Sequence, residues 1–220
     1  MITKKFLPKD FPVIAEGILN NSELIVTQKT GTEIRFTIHE IEFYYRNKDH
    51  NDQYVHSHED QLQFGKFYFH RYHTGSYKSG TYKGMDLAFG SPKDPLLYCG
   101  ILIRSMQNKE TKEFIEGPCR CVNKILEILG YSDVKSFMES RQNRPVYIYG
   151  PENQHPNTVN SNRESGTIQL TDCESLQEDI YSGPRVGLSD KYPDFRNLSY
   201  RFATQIKKIK KQKQFELLQK

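Results

Sequence analysis

Glu40 and Glu42, two acids in alternate positions of the stretch TIHEIEFYY (residues 37–45), are the pair in this chain whose types and spacing suggest chemistry. Side chains alternate along a strand, so Ile34, Phe36, Ile38, Glu40, Glu42 and Tyr44 share one face, and Arg35, Thr37, His39, Ile41 and Phe43 the other. A face that starts apolar thus runs into two carboxylates. If it stays buried, each acid must be paired, hydrogen-bonded or protonated, because an isolated buried charge costs several kcal/mol. Such strain gathers at functional sites. The alternative is a sheet that twists into solvent at Glu40, or a bulge that flips the register and leaves both acids on the surface.

The elements that hold this strand are readable from local signals. Asp10 followed by Phe11 and Pro12 marks a helix start, and Val13, Ile14, Ile18 and Leu19 give residues 11–20 an apolar face. Residues 23–28 and 33–45, joined across Gly31, read as a hairpin. A polar surface loop spans 46–63, and further strands are expected over 64–72, 82–89 and 96–106, with glycines that suggest bends and close backbone approach. Pro118 opens a helix whose Val122, Ile125, Leu126 and Leu129 recur at helical spacing until Gly130, and Ser132 or Asp133 caps a shorter one. Residues 145–149 read as a short strand and 151–166 as a mobile loop.

Composition narrows the classes. At 220 residues the chain can bury one sizeable core, and its aromatic share of 12%, all Tyr and Phe, supplies the bulk. The apolar run LLYCGILI (96–103) is too short to cross a bilayer and the start MITKKFLPKD lacks a signal peptide's apolar segment, so a cytoplasmic protein with no membrane partner is expected. Four cysteines, with C-x-C rather than C-x-x-C at 119–121, read as buried or free thiols, and no metal or cofactor is expected. The net charge of +4 is modest, but Lys207, Lys208, Lys210, Lys211 and Lys213 cluster in a C-terminal tail, as a phosphate-contacting segment or a solvated helix end would.

The E-x-E-x-Y of HEIEFYY, preceded by a helix and a hairpin, resembles the core motif of the methylpurine-DNA glycosylase family, which includes alkyladenine and 3-methyladenine DNA glycosylases. The family's other landmarks follow in order: His56-Ser57, Gly84-Met85, ILIR ending at Arg104, EGPCRCVNKIL, and Arg185-Val186-Gly187. The resemblance implies a single α+β domain over residues 1–204, with a curved, mostly antiparallel, barrel-like sheet and peripheral helices, and a basic helical tail over 205–220. It implies a monomeric hydrolase that excises a modified purine from double-stranded DNA. Glu42 would be the general base, with Arg104 and the Val186 backbone carbonyl holding the attacking water. Tyr44 and His56, with Tyr54, would contact the extruded base. The residue types suit the reaction, since a carboxylate both takes a proton from water and offsets charge on an oxocarbenium-like sugar. Aromatic faces receive any base taken out of its stack.

The chain departs from the family pattern at several points. The wedge Tyr that precedes Gly-Met is Lys83 here, with Tyr82 one step earlier, and the Asn that excludes guanine falls near Gly90. The family's basic stretch after His-Ser is replaced by HEDQLQFG, whose Glu59 and Asp60 repel phosphates. In exchange, FYFHRYHTGSYKSGTYKG (67–84) interleaves aromatic and basic residues, and Glu40, His70, Arg71, Tyr82, Lys83 and Asp86 are further candidates for the pocket or nucleic-acid contact. Three other readings compete. They are a zinc deaminase, whose P-C-x-x-C spacing is not met; a silent nucleic-acid or modified-nucleotide binder on the same fold; and a glycosylase acting on RNA, single strands or nucleosides.

Overall fold

The computed structural model describes residues 7–94, 96–149, 166–210 and 215–218. Strands β1 (Ser22–Thr27) and β2 (Glu33–Arg46) form the expected hairpin, and β3 (Phe64–Phe69), β4 (Met85–Phe89) and β5 (Tyr98–Asn108) follow. β6 (Phe114–Glu116), β7 (Thr167–Asp172), β8 (Tyr181–Gly183), β9 (Arg201–Ala203) and β10 (Glu216–Leu217) complete a ten-stranded sheet in which every pairing is antiparallel. Its main path runs β10-β8-β9-β2-β5-β4-β3, with β1 and then β7 branching from β2.

The sheet is not closed into a barrel, as the barrel-like expectation had it. The space between β3 and β7 is spanned instead by residues 146–148. There the Phe67 amide donates to the Val146 carbonyl, Ile148 to Gly65, and Leu170 to Ile148. Too few residues run alongside for a strand ladder, so the expected strand at 145–149 is reduced to a single bridge at Tyr147.

Helix α1 (Phe11–Asn20) buries Phe11, Ala15, Ile18 and Leu19, while Val13, expected on that face, is exposed. Phe11 stacks on Phe43 of β2 at 4.1 Å, fastening helix to sheet. Helix α2 (Pro118–Leu129) ends where Gly130 turns left-handed, and α3 (Val134–Ser140) starts where the Asp133 side chain accepts from the Ser136 amide. A short α4 (Pro193–Arg196) precedes β9. Among the described residues no helix is long and apolar enough to cross a membrane.

The tail differs from expectation. Its described residues form a 3-10 turn at Ile206–Lys208 and strand β10, not a helix, because Ile209 is drawn into the protein and β10 pairs with β8. Lys211, Lys213 and the loop expected over 151–166, Gly166 apart, lie outside the described residues.

One irregularity in β2 decides what the sheet displays. Pairing with β5 slips between Ile38 and Glu40, where His39 is the extra residue, and slips back between Glu40 and Ile41, where Arg104 is extra on β5. The core side therefore changes from Phe36 and Ile38 to Ile41, Phe43 and Tyr45, all in one apolar cluster. β5 changes phase with it, from Ile101 and Ile103 to Met106. Glu40, Glu42 and Tyr44 are thus on the face opposite the main core. The expectation that they continue the apolar face is corrected, and so is its alternative, because after the bulge both acids are still buried.

Candidate active site

Register lines up a row of side chains across this second face. Tyr68 of β3 pairs with Asp86 of β4, Asp86 with Leu102 of β5, Leu102 with Glu42 of β2, and Glu42 with Arg201 of β9. Residues opposite one another in a sheet point to the same side. The row is consequently polar, and it is roofed by the loops at 52–63 and 184–200.

At its centre are two acids and two arginines, a set with no net charge. Glu40 is 1% exposed, and its Oε1 accepts from Arg104 Nε at 3.0 Å and Arg201 Nε at 2.7 Å. Its Oε2 accepts from the Ser105 hydroxyl at 2.5 Å. Burial pushes the Glu40 carboxyl up, but the two guanidiniums and Ser105 outweigh it and hold the group below its ordinary value. Burial alone would lower Arg104, yet Glu42 and Glu40 raise it above an ordinary arginine.

Glu42 is 0% exposed and every bond it makes is to a group fixed from elsewhere. Oε1 accepts from the Val186 amide at 2.8 Å, and Oε2 from Arg104 Nη1 at 3.3 Å and the Tyr44 hydroxyl at 2.9 Å. The Val186 contact is therefore made by its N–H, not by the carbonyl that the resemblance assigned. Burial and then the Glu42 charge raise the Tyr44 phenol well above its ordinary value, so Tyr44 stays a donor.

The loop that delivers Val186 is anchored from below. Arg185 makes a two-pronged bond to Asp52, at 2.6 and 3.2 Å, with both side chains fully buried. It also donates to the carbonyls of Phe43 and Phe195, and its guanidinium lies 4.7 Å from the Tyr44 ring centre. Gly187 then takes a φ of +79°, open to glycine at little cost, and the chain turns so that Leu188 faces the cavity.

That cavity, about 100 Å³, is lined by Tyr44, Tyr54, His56, Gln61, His70, Asp86 and Leu188. At roughly 10–15 Å³ for each water-sized group, it has room for a small planar heterocycle. Five of its lining residues, Tyr44, Tyr54, His56, His70 and Asp86, were candidates from sequence. Tyr54 is fixed by its hydroxyl, which donates to the Ser189 carbonyl at 2.5 Å. His56 lies edge-on to His70 with ring centres 4.4 Å apart. Lys78 Nζ is 3.1 Å from His56 Nε2. Burial, aided by His70, pushes His56 down to about 3, so the ring is neutral at physiological pH.

Other candidates fall outside the cavity. Glu42 does not line it, being one hydrogen bond behind the Tyr44 wall, and Glu40 and Arg104 form the charged network beneath. Arg71 is held within the 70–77 hairpin by the Gly75 carbonyl and the Tyr77 ring, 3.8 Å away, and pairs with Asp60 at 3.5 Å. Asp60, expected to repel phosphates, is to that extent neutralised within the protein. Tyr82 is 70% exposed beside half-buried Lys83. Gly90 packs against backbone: a Cβ there would lie 2.0 Å from the Gln61 carbonyl oxygen, so no side chain is accommodated. Among the described residues no group of three or more His, Cys, Asp or Glu could hold a metal ion.

Sequence reasoning missed Arg201, Asp52 and Gln61. Asp52 and Gln61 are buried although the 46–63 segment reads as a surface loop, and Gln61 sits on a 3-10 turn (Glu59–Leu62) folded back onto β4 and β5. Nothing in the loop's polar composition separates them from their neighbours.

No protein-family model matches the chain. A protein of Acanthamoeba polyphaga mimivirus, Uncharacterized protein L759, is 39% identical over 214 residues, covering 92% of this chain and 89% of the viral one. The chain belongs to the family of that viral protein. Kinship over nearly the whole length takes in every segment that builds the row, the charged network and the cavity, so the site is assembled within one continuous family domain.

Proposed function

We propose that the chain is a monofunctional N-glycosylase of the methylpurine-DNA glycosylase type, which removes a modified purine from a nucleotide turned out of its stack. The observation that carries this reading is Glu42: a fully buried carboxylate, fixed by Arg104, the Val186 amide and Tyr44, directly behind an aromatic-walled cavity the size of a heterocycle. A base seated between Tyr44, Tyr54 and His56 brings its sugar toward Tyr44 and the Val186 loop. Glu42 takes the proton of a water that attacks the sugar C1′, and its charge offsets the oxocarbenium character of the transition state. Arg104 keeps the carboxylate charged and oriented. The departing base takes the bonding electrons, and no covalent intermediate is required.

Nucleic acid is the corresponding partner, with exposed Tyr82 placed to fill the gap in a duplex. The test is release of free base from single- and double-stranded oligonucleotides carrying 3-methyladenine, 7-methylguanine, hypoxanthine or ethenoadenine. Glu42→Gln should lower release by about 10²-fold or more while leaving affinity unchanged. No release from any of these substrates would refute the proposal.

A second reading, a silent binder on the same fold, is favoured by a specific observation. Both Glu42 oxygens already have protein partners, and the side chain is set back from the cavity. Under that reading Glu42→Gln changes neither binding nor any turnover.

A further inference from the structure

Asp86 is the one carboxylate on the cavity wall. Its side chain is 2% exposed, and the ionic partner the structure gives it is His70, whose Nε2–H donates to Oδ1 at 2.7 Å. The Gln61 amide donates to Oδ2 at 3.3 Å. Both oxygens act as acceptors, each with one protein donor, whereas a carboxylate offers about four acceptor sites. One site on each oxygen is left for a ligand.

Two glycines make room for this group. A Cβ on Gly84 would lie 2.5 Å from the His70 ring, and one on Gly100 would lie 2.4 Å from Asp86 Oδ2. The carboxylate is thus recessed over glycine backbone and held from both sides, a rigid acceptor pair in an otherwise aromatic slot. Neutral His56 presents a face, and Lys78, its neighbour, does not line the cavity.

We infer that Asp86 sets the specificity of this cavity for guanine-type bases, whose adjacent N1–H and 2-amino donors match the two free acceptor positions of one carboxylate. This rests on reading the cavity as the seat of an extruded base. Carboxylates accept from base N–H groups, and a site built around such bonds rejects an analogue that lacks one, because its buried acceptor is left unpaired. Hypoxanthine differs from guanine only in the missing 2-amino group. Adenine offers its amino group beside an acceptor nitrogen, which faces the carboxylate unfavourably.

The test is equilibrium binding of guanosine, inosine and adenosine to the full-length protein by calorimetry, with 7-methylguanine and hypoxanthine oligonucleotides in the release assay alongside. Guanosine should bind about 10-fold or more tighter than inosine, the worth of one hydrogen bond to a charged acceptor. Asp86→Asn should erase that preference. Gly100→Ala, which keeps the carboxylate but displaces it, should reduce the preference in a protein whose unfolding midpoint shows it folded. Equal affinities, tighter inosine or adenosine binding, no nucleoside binding, or an undiminished preference in both variants would overturn the inference. A guanosine preference without release of any base would sink the glycosylase reading and leave the inference standing; faster release of hypoxanthine than of 7-methylguanine would do the reverse.

Discussion

Arg104→Met is the most direct test of the charged network. Arg104 joins both acids, donating to Glu40 at 3.0 Å and to Glu42 at 3.3 Å, and the set of Glu40, Glu42, Arg104 and Arg201 balances two negative charges with two positive ones. Methionine fills much of the side-chain volume but strands one negative charge among groups that are 0–2% exposed. Breaking a buried pair by removing one partner costs about 3–5 kcal/mol. For a domain of this size that corresponds to a melting point about 6–20 °C lower.

The pH dependence should change with it. In the wild type the folded Glu40 pKa lies below its unfolded value, so its contribution is present above the unfolded pKa, near 4.3, and is lost as pH falls through the depressed folded value. Without Arg104 the burial effect is less opposed, so the stranded acid takes up a proton at higher pH and the variant should recover part of its deficit on mild acidification. Adding Glu40→Gln restores the charge balance and should recover part of it at neutral pH. Urea unfolding at several pH values reads all three effects. A single variant within about 1 kcal/mol of the wild type, or a double variant no more stable than the single, would refute the reasoning.

Three further outcomes follow from particular contacts. Asp52→Asn leaves the Arg185 guanidinium buried without its counter-charge and should destabilise the protein by about 3 kcal/mol or more in urea titrations, loosening the Val186 loop. His56, with a folded pKa of about 3, should show no imidazole titration by NMR between pH 5 and 8. Because the unfolded chain takes up a proton there and the folded one does not, His56 contributes a loss of stability as pH falls from about 6.5 toward that folded value. Tyr82→Ala removes a side chain that is 70% exposed, so the melting point should be nearly unchanged while affinity falls for duplex substrates and not for single strands.

Wherever a few neighbouring residues carry the signal, the sequence by itself determined the element. Helix α2 runs from Pro118 to the glycine at 130, Asp133 caps α3, the β1–β2 hairpin turns at Gly31, and the glycines among the central strands mark close approach, as at Gly84 and Gly100. The unusual position of Glu40 and Glu42 and five residues of the cavity wall were legible in the same way. Tertiary structure alone decided which face the acids occupy, because the bulge at His39 exists only against its opposite slip at Arg104, and a register is a property of two strands. It alone supplied the partners. Arg201 meets Glu40 from 161 positions away, Arg185 meets Asp52 from 133, and Val186 brings its amide to Glu42 from 144. A buried charge announces that it needs a counter-charge, but local sequence carries no information about which distant residue the fold will bring to it.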